Sequence, residues 1–302
     1  MRDLEKKKSI VLIGADGQLG MDLQKVLPLV FRVIPLTIND IDISNLTSIE
    51  HCLSKNKADI IISTAGFHNV PLCEEQPEKT FLVNSVGTKF LTDWCHFHHC
   101  KLIFISTDYV FNGEKRTPYT EEDQPDPINT YGISKYAGEQ YIKHHLDDFL
   151  IIRTTGLYGS NVCLGKPTPN FVEMFLKLIQ GKDVVEFDGR EICCPTYTLE
   201  LANQIHLLLQ KDVKGLFHAV NEGPCSWFEF GEAIIKRSGS TTQLRHIERK
   251  ENAQQAGQHF KPLKRPFFTA LENKNLNLLT LNHMSSWQEA LSKFLQNRKI
   301  KH

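Results

Sequence analysis

The sequence lacks several features that would assign a protein to a class at once. No apolar run approaches the ~18 residues that a membrane-spanning helix requires. The apolar run after the basic N-terminus covers only four residues, which is too short for a signal peptide. Lysine and arginine number 35, as do aspartate and glutamate, so no excess charge favours nucleic acid or an acidic membrane surface. We therefore predict a cytoplasmic protein that binds neither membranes nor nucleic acids.

Disulfide and metal frameworks are also missing. Eight cysteines in 302 residues are too few for a disulfide scaffold, and in a cytoplasmic chain we expect free thiols. The run CHFHHC at 95–100 is rich in potential metal ligands, but it is predicted at the end of a helix, where side chains so close together do not all face one point. No metal site is predicted. The content of 41% hydrophobic and 23% charged residues is ordinary for a globular protein.

Short, continuous apolar runs alternate with helix-like stretches in the first half of the chain. Such runs are typical of parallel strands that are buried on both faces. The pattern predicts an α/β fold, with a Rossmann-type doubly wound parallel sheet in residues 1–155 to which parts of 184–212 return. Residues 156–302 are predicted to form mainly a smaller C-terminal α/β substrate-binding region. The active site is expected between the two halves.

The individual elements follow from the same runs. Strands are predicted at 10–13, 31–36, 59–63, 101–105, 149–152, 184–187 and 215–220. Helices are predicted at 46–55, 78–95, 133–145, 171–180, 199–209, 227–238 and 287–297, and an extended segment at 261–268.

The turn after the first predicted strand carries a glycine motif. Gly14, Gly17 and Gly20 follow the apolar run at 10–13 and open an amphipathic stretch. Glycines at this spacing allow a tight turn and a close approach of the backbone to a pyrophosphate. The N-terminus of the following helix offers free N–H groups and the positive end of its dipole. The motif predicts a dinucleotide-binding turn, although a glycine-rich turn without a ligand can have the same spacing.

A tyrosine and a lysine lie four positions apart in the segment YGISK at 131–135. On a helix Tyr131 and Lys135 point the same way, one turn from each other. A nearby ammonium favours the phenolate of a tyrosine that is otherwise a poor acid, and the hydroxyl of Thr107 can hold the same oxygen or that of a substrate. Such a trio can give a proton to a carbonyl while a hydride arrives from a cofactor. The pair alone also occurs on solvated helix faces, so its weight comes from the glycine motif.

Several blocks of the sequence resemble one enzyme family. The chain is similar to the extended short-chain dehydrogenases/reductases and, more narrowly, to the dTDP-4-dehydrorhamnose reductases. In the most discriminating block, STDYVFNG at 106–113, Asp108 and Tyr109 follow Thr107, whereas dehydratases typically carry Thr-Asp-Glu there. The resemblance extends along nearly the whole chain through GADGQLG at 14–20, YGISKYAGE at 131–139, IRTTGLYG at 152–159, GPCSWFEF at 223–230 and RPFFTAL at 265–271. It implies NAD(P)H-dependent reduction of the C4 keto group of a nucleotide-activated deoxysugar.

The resemblance also implies a role for each matching residue. Thr107, Tyr131 and Lys135 would be catalytic, with Tyr131 protonating the C4 oxygen and Lys135 holding the nicotinamide ribose. Besides Tyr131 and Lys135, the residues implied for cofactor binding are Gly14, Gly17, Gln18, Leu19, Gly20, Asp42, Ile43, Ala65, Gly66 and Asn84. The residues implied for substrate binding are Asp108, Tyr109, Val110, Asn170 and Arg265. The last two would serve the diphosphate, which an arginine binds through paired hydrogen bonds; a surface ion pair is the alternative for Arg265.

Two positions bear on the choice of cofactor and sugar. The end of the second predicted strand, LTIN at 36–39, has no carboxylate for the ribose 2′-hydroxyl of NAD and no arginine for the 2′-phosphate of NADP. We predict NADPH as the cofactor, with NADH also usable. Gly156 stands where the family often has a tryptophan, so the sugar pocket is expected to be larger or differently filled.

Two other functions remain open at this point. One is a sugar-nucleotide epimerase or dehydratase of the same superfamily, against which Asp108 and Tyr109 argue. The other is a non-catalytic role, because the regulatory subunit of methionine adenosyltransferase resembles the same fold and keeps a cofactor cleft. Thr107, in place of the serine usual in that protein, favours the enzyme. The resemblance also suggests a homodimer.

Overall fold

The computed structural model describes residues 7–160, 170–247 and 263–299. The strands in these ranges are β1 (Ser9–Ile13), β2 (Arg32–Leu36), β3 (Ile60–Ser63), β4 (Lys101–Thr107), β5 (Phe149–Thr154), β6 (Leu157–Tyr158), β7 (Val184–Phe187), β8 (Ile192–Cys193), β9 (Thr196–Tyr197), β10 (Gly215–His218), β11 (Cys225–Ser226) and β12 (Gln243–His246). The α-helices are α1 (Gln18–Val26), α2 (Leu46–Lys55), α3 (Val70–Glu75), α4 (Pro77–Phe81), α5 (Gly87–His98), α6 (Thr130–His145), α7 (Phe171–Ile179), α8 (Thr198–Gln210), α9 (Trp227–Ser238), α10 (Lys274–Leu278) and α11 (Trp287–Lys299). None of the helices in the described ranges is long and apolar enough to cross a membrane.

A six-stranded parallel sheet forms the centre of the fold. Its strand order is β2–β1–β3–β4–β5–β10, and every neighbouring pair is parallel. The chain moves from β1 to β2 on one side and then returns to β3 on the other side of β1. The order therefore reverses between β1 and β3, and ligands of open α/β sheets bind outside the carboxyl ends of the strands at such a reversal. The predicted Rossmann-type doubly wound sheet is confirmed.

Both faces of the sheet are buried, as the continuous apolar runs predict. Along β1, Ile10 and Leu12 belong to one core cluster, whereas Val11 and Ile13 belong to another, which is the alternation expected of a strand covered on both sides. Helices α1 and α8 supply side chains to the first cluster, and helices α2, α5 and α6 supply side chains to the second. This enclosure fixes the carboxyl ends of the strands, where the predicted site residues lie.

The second half of the chain builds a separate aromatic core. Strands β6 and β9, β7 and β12, and β8 and β11 form three two-stranded sheets. Helices α7, α9 and α11 close around Tyr158, Phe175, Phe230 and Phe294, which are all buried. The smaller C-terminal α/β region expected from the sequence is therefore present.

Two elements from the second half complete the central sheet. β10 pairs with β5, and α8 packs on α1, where the Thr198 hydroxyl donates to Asp22 Oδ2 (2.6 Å). In the range 184–212, for which a return to the sheet stays a prediction, α8 packs on α1 and β7 pairs with β12 in the other region. β10 lies beyond that range. A short apolar run does not reveal which sheet it will join, because the choice depends on long-range packing.

Most predicted elements agree with the structure to within a few residues, but the helix predicted at 78–95 differs. Pro71 and Pro77 stand near the starts of two short helices, α3 and α4, and a π-helix (Leu82–Val86) links α4 to α5. Proline suits the first helical turn, where its missing N–H costs nothing, so each proline starts a new helix. Sequence reasoning missed α3 because it has only six residues. The segment predicted as extended at 261–268 lies partly outside the described residues.

Candidate active site

The glycine motif forms a tight turn between β1 and α1. Gly14 has a φ of 79°, and the N–H groups of Gly14 and Ala15 both donate to the Leu36 carbonyl of β2 (2.9 and 3.0 Å). A Cβ on Gly20 would lie 2.2 Å from the Gly14 carbonyl oxygen, so only glycine lets α1 begin so close to the turn. Gly17 precedes α1 without a side-chain cap, which leaves the first N–H groups of the helix available to an anion.

The two residues between these glycines face different ways. Leu19 is buried in the core cluster that contains Ile10 and Leu12. Gln18 Oε1 is also buried, but it accepts no hydrogen bond from any residue that the structure describes. A buried amide oxygen without a donor is costly, so a bound molecule with hydroxyl or amide donors would fit this position.

The loop after β3 lies against the glycine turn. The Thr64 hydroxyl donates to the Gly14 carbonyl (2.9 Å), which holds Ala65 and Gly66 at the same edge of the sheet. A Cβ on Gly66 would come within 4.0 Å of Lys135 Nζ. The structure therefore brings the predicted cofactor residues of β1, β3 and α6 to one cleft.

Asn84 stabilises this cleft from the π-helix. It is buried, its side chain accepts a hydrogen bond from the Phe67 N–H (2.8 Å), and its amide donates to the Phe67 carbonyl (2.9 Å) and to Ser134 Oγ (3.0 Å). These bonds connect the loop after β3 to the helix that carries Lys135. Single π-helical turns occur frequently at functional sites, and here the turn carries the residue that joins the two elements.

Helix α6 places Tyr131 beside the end of β4. Asn129 caps the helix by accepting a hydrogen bond from the Gly132 N–H (2.9 Å). A Cβ on Gly132 would lie 2.1 Å from the Tyr109 carbonyl oxygen, so this glycine allows α6 to touch the 3₁₀ turn Asp108–Val110. The rings of Tyr109 and Tyr131 then meet edge to face, with centroids 5.9 Å apart. Thr107, the last residue of β4, lies close enough to Tyr131 for its hydroxyl to lower the pKa of the phenol.

The surroundings of Tyr131 and Lys135 shift their pKa values in opposite directions. Burial raises the pKa of Tyr131, and the Thr107 hydroxyl partly opposes this effect. Burial lowers the pKa of Lys135 to about 7, although the carboxylate of Glu139 favours the charged form. Lys135 Nζ lies 3.8 Å from the centre of the Phe104 ring and makes no hydrogen bond to any described residue. Tyr131 is therefore protonated at neutral pH, and Lys135 is a buried amine without a hydrogen-bond acceptor, as expected if a ligand supplies one.

Replacing Lys135 by methionine is expected to raise the melting temperature at neutral pH. The folded-state pKa of about 7 lies below the ordinary lysine pKa of 10.5, so the folded state is destabilised below pH 7 and recovers stability as the pH rises toward 10.5. Melting temperatures of Lys135→Met and the wild type should therefore differ most near pH 6 and converge near pH 10. The matched control is Lys177→Met on the exposed face of α7. Equal melting temperatures at pH 6 would contradict a buried, destabilising amine.

The predicted substrate residues after Thr107 are largely enclosed. Asp108 is buried, and its carboxylate accepts hydrogen bonds from the hydroxyls of Thr107 (2.9 Å) and Thr155 (2.7 Å). Burial raises the pKa of Asp108 despite these bonds. The Val110 side chain is fully buried in a core cluster. Of this segment, only the side chain of Tyr109 is partly accessible, so Asp108 and Val110 could reach a substrate only through their backbone.

The two residues predicted for the diphosphate lie in different settings. Asn170 caps α7 by accepting from the Glu173 N–H (3.2 Å) and donates to the Gly159 carbonyl (2.8 Å), so its side chain is engaged. Burial raises the pKa of Tyr109, and the positive charge of the exposed Arg265 partly opposes this effect. Arg265 therefore lies near Tyr109, whereas the structure gives no contact between Asn170 and the Tyr131 region.

The residues predicted to contact adenine lie beyond β2. The Asp42 carboxylate is exposed and accepts hydrogen bonds from the Ser44 N–H (2.9 Å) and the Ser44 hydroxyl (2.6 Å). The side chain of Ile43 is buried in the core. The adenine contacts of Asp42 and Ile43 stay predictions.

Sequence reasoning missed two acidic residues that position α6. The Glu74 carboxylate of α3 accepts from the Thr130 N–H (2.6 Å) and the Thr130 hydroxyl (2.9 Å), next to Tyr131. Glu139 is buried, pairs with Arg153 of β5 (2.6 Å), and lies one turn beyond Lys135. The first contact spans 56 residues of sequence, and no local pattern predicts it. Glu139 follows Lys135 by four residues, as Lys135 follows Tyr131, so this helical spacing could have indicated that Glu139 lies on the same face of α6.

Comparison with known proteins agrees with this geometry. The chain is 33% identical over 290 residues to the spore coat polysaccharide biosynthesis protein SpsK of Bacillus subtilis, which covers 96% of this chain and 97% of that protein. It is 32% identical to a dTDP-4-keto-6-deoxy-D-glucose reductase of Streptomyces niveus, over 76% of this chain and 78% of that protein. A dTDP-4-dehydrorhamnose reductase of Bacillus anthracis, solved in complex with NADP, superposes with a TM-score of 0.87 at 30% identity, over 97% of this chain and all of the other. The family model described as the RmlD substrate binding domain matches residues 8–300, and the chain belongs to that family.

Proposed function

We propose that this protein is an oxidoreductase that uses NADPH to reduce the C4 keto group of a dTDP-activated deoxysugar of the dTDP-4-dehydrorhamnose type. The observation that carries the proposal is the meeting of Thr107, Tyr131 and Lys135 with the glycine turn at the carboxyl ends of the parallel strands. The relatives from Streptomyces niveus and Bacillus anthracis, named as reductases of such sugars, support the same reaction.

The residues present fit a nicotinamide dinucleotide. The turn at Gly14 and the uncapped N-terminus of α1 suit a pyrophosphate, and the buried Gln18 Oε1 lacks a donor. Lys135 Nζ likewise lacks an acceptor, which ribose hydroxyls would provide. When bound, the cofactor supplies the hydride that the carbonyl carbon receives.

The proton transfer is the task of the protein. Tyr131 is protonated at neutral pH because burial raises its pKa, so it can donate its proton to the C4 oxygen as negative charge develops there. The Thr107 hydroxyl, beside Tyr131, donates to Asp108 in this structure and would turn its proton to the same oxygen when the substrate is bound. Once the proton has left, the Lys135 ammonium stabilises the phenolate, and solvent restores the proton. In this mechanism Tyr131 and Thr107 act on the C4 oxygen, where negative charge develops, and Lys135 acts on the phenolate oxygen of Tyr131.

The choice of NADPH is supported by the end of β2. The carboxylate nearest that end, Asp40, accepts hydrogen bonds from the N–H and the hydroxyl of Thr37 (both 2.8 Å). It is therefore turned back on its own loop rather than presented to a ribose 2′-hydroxyl. The Bacillus anthracis relative was solved with NADP, which agrees with this choice. We expect NADH to be used less well.

Substrate recognition is proposed to involve Tyr109 and Arg265. Tyr109 packs on Tyr131 and is partly accessible, and Arg265 is exposed nearby with a guanidinium that suits a diphosphate. A cytoplasmic location is proposed as well, in keeping with the biosynthetic relatives that the chain resembles. A homodimer and the lack of a nucleic-acid partner stay predictions.

The reaction is tested by following the loss of nicotinamide absorbance with NADPH, and separately with NADH, against dTDP-4-dehydrorhamnose and related dTDP- and UDP-4-keto sugars. We expect oxidation of NADPH with a dTDP-4-keto-6-deoxy sugar and slower oxidation of NADH. Tight binding of NADPH without turnover of any 4-keto sugar would instead support the regulatory role. Product with inverted stereochemistry and no net oxidation of NADPH would support an epimerase.

A further inference from the structure

Gly156 lies two residues after the end of β5, at the position where the family often has a tryptophan. Its φ is 57°, a left-handed conformation that favours glycine. A Cβ built on Gly156 would lie 3.2 Å from Cη2 of the Trp227 indole, 3.1 Å from Pro195 Cα and 3.5 Å from Cys193 Sγ. The space that a side chain at 156 would use is therefore occupied by the tip of another tryptophan.

This position belongs to the candidate active site. The neighbouring Thr155 donates its hydroxyl to the carboxylate of Asp108 (2.7 Å), the residue that follows Thr107. Cys193, which flanks Gly156, is near enough to Tyr109 to influence its pKa. Tyr109 in turn packs against the ring of Tyr131. The Trp227 indole is therefore linked to the catalytic tyrosine through a short series of neighbouring side chains.

The indole is held firmly in this place. Trp227 is the first residue of α9, whose start is fixed by a capping box between Ser226 and Glu229. The backbone N–H of Trp227 donates to the Glu191 carbonyl (3.2 Å), and the indole ring packs on Phe171, with centroids 4.5 Å apart. The side chain nevertheless remains partly exposed. A rigid, partly accessible aromatic ring beside a catalytic site is suited to contact the apolar face of a ligand.

We propose that Trp227 is a specificity-determining residue that forms one wall of the sugar pocket, and that Gly156 is glycine because the indole needs its space. The ligand is the deoxysugar ring, whose C–H groups and methyl would lie on the indole, whereas the nucleotide would not. The proposal rests on the proposed function, since it concerns the sugar of that substrate. It assigns to α9 the bulky wall that the segment after β5 does not supply.

The first test compares Trp227→Leu with the matched control Trp94→Leu, whose tryptophan lies on α5 and packs against the ring of His98. For Trp227→Leu we expect the KM for dTDP-4-dehydrorhamnose to rise about tenfold, which is the effect of losing one good aromatic contact. The inhibition constant of dTDP, which lacks the sugar, should change less than twofold. The control should alter neither. An unchanged KM, or a parallel rise in the inhibition constant of dTDP, would overturn the proposal.

A second variant covers the case in which Trp227→Leu does not fold. Trp227→Phe keeps an aromatic ring against Phe171, but its shorter side chain leaves the space beside Gly156 open. We expect a several-fold rise in KM with kcat changed less than the KM. A variant with wild-type KM and an intact melting temperature would refute the proposed contact.

A binding measurement separates this proposal from the proposed reaction. Tryptophan fluorescence is recorded while the wild type and Trp227→Phe are titrated with dTDP-rhamnose or dTDP. We expect dTDP-rhamnose to change the fluorescence of the wild type and to change that of Trp227→Phe far less, whether or not the chain turns over a keto sugar. Equal changes in both proteins would show that the sugar does not contact Trp227. If neither nucleotide binds, the proposed function fails, and the proposal that rests on it falls with it.

Discussion

Tyr131→Phe is expected to lower kcat by about 10²–10⁴-fold, which is the range that positioned general acids contribute. Burial raises the pKa of Tyr131, so in the proposed mechanism the phenol holds its proton until negative charge appears on the C4 oxygen. Phenylalanine keeps the ring that packs against Tyr109 but has no proton to give. Steady-state rates with a dTDP-4-keto sugar measure the loss, and the dissociation constant of NADPH should stay within about twofold because the cofactor cleft is unchanged.

A matched control lies further along the same helix. The hydroxyl of Tyr141 donates to Asp93 (2.9 Å), away from Thr107 and Lys135. Tyr141→Phe should therefore retain the wild-type kcat. If Tyr131→Phe also turned over at the wild-type rate, Tyr131 would not be the proton donor, and another acid in the site would have to be identified.

Gly132→Ala is expected to reduce kcat by more than tenfold and to lower the melting temperature. The added Cβ would lie 2.1 Å from the carbonyl oxygen of Tyr109, and both partners belong to backbone that packing holds in place. Either α6 or the 3₁₀ turn Asp108–Val110 must move, and overpacking of this kind costs about 1–3 kcal/mol. Because Tyr131 and Lys135 lie on the displaced helix, and a shift of ~1 Å can cost about 10²-fold in rate, catalysis suffers as well as stability.

The neighbouring residue supplies the control for this substitution. Ile133 is 43% exposed on the same turn of α6, so Ile133→Ala should leave kcat unchanged and affect the melting temperature little. Thermal unfolding and steady-state rates, measured on both variants, test the prediction. A Gly132→Ala protein with wild-type kcat would show that the contact between α6 and the 3₁₀ turn does not govern the position of Tyr131.

The sequence predicts the parts of the site that depend on local spacing. Each of these parts lies within a few residues of sequence. The glycine spacing predicts the turn through Gly14 and Gly20, and the helical period predicts that Tyr131 and Lys135 share a face. The parallel sheet follows from apolar runs in the same way, and the comparisons with known proteins agree with that fold.

The remaining parts of the site depend on contacts between distant residues. Glu74 holds Thr130 across 56 residues, and Asn84 reaches Ser134 across 50. Neither contact produces a periodic pattern from which it could be predicted. The position of Trp227 beside Gly156 is of the same kind, because it requires two regions of the fold to pack together before the contact exists. Motif spacing predicts which groups react, and tertiary packing decides what surrounds them.

The last strand of the central sheet has a consequence for the biosynthesis of the protein. β5 ends at Thr154, but its outer neighbour β10 begins only at Gly215, and α8, which covers α1, begins at Thr198. While the chain is being synthesised, the edge of β5 and one face of α1 stay uncovered until the residues up to 218 have emerged. Exposed parallel strands with apolar side chains tend to associate with other chains. A fragment that stops at residue 155 should therefore aggregate rather than form an independent cofactor-binding domain.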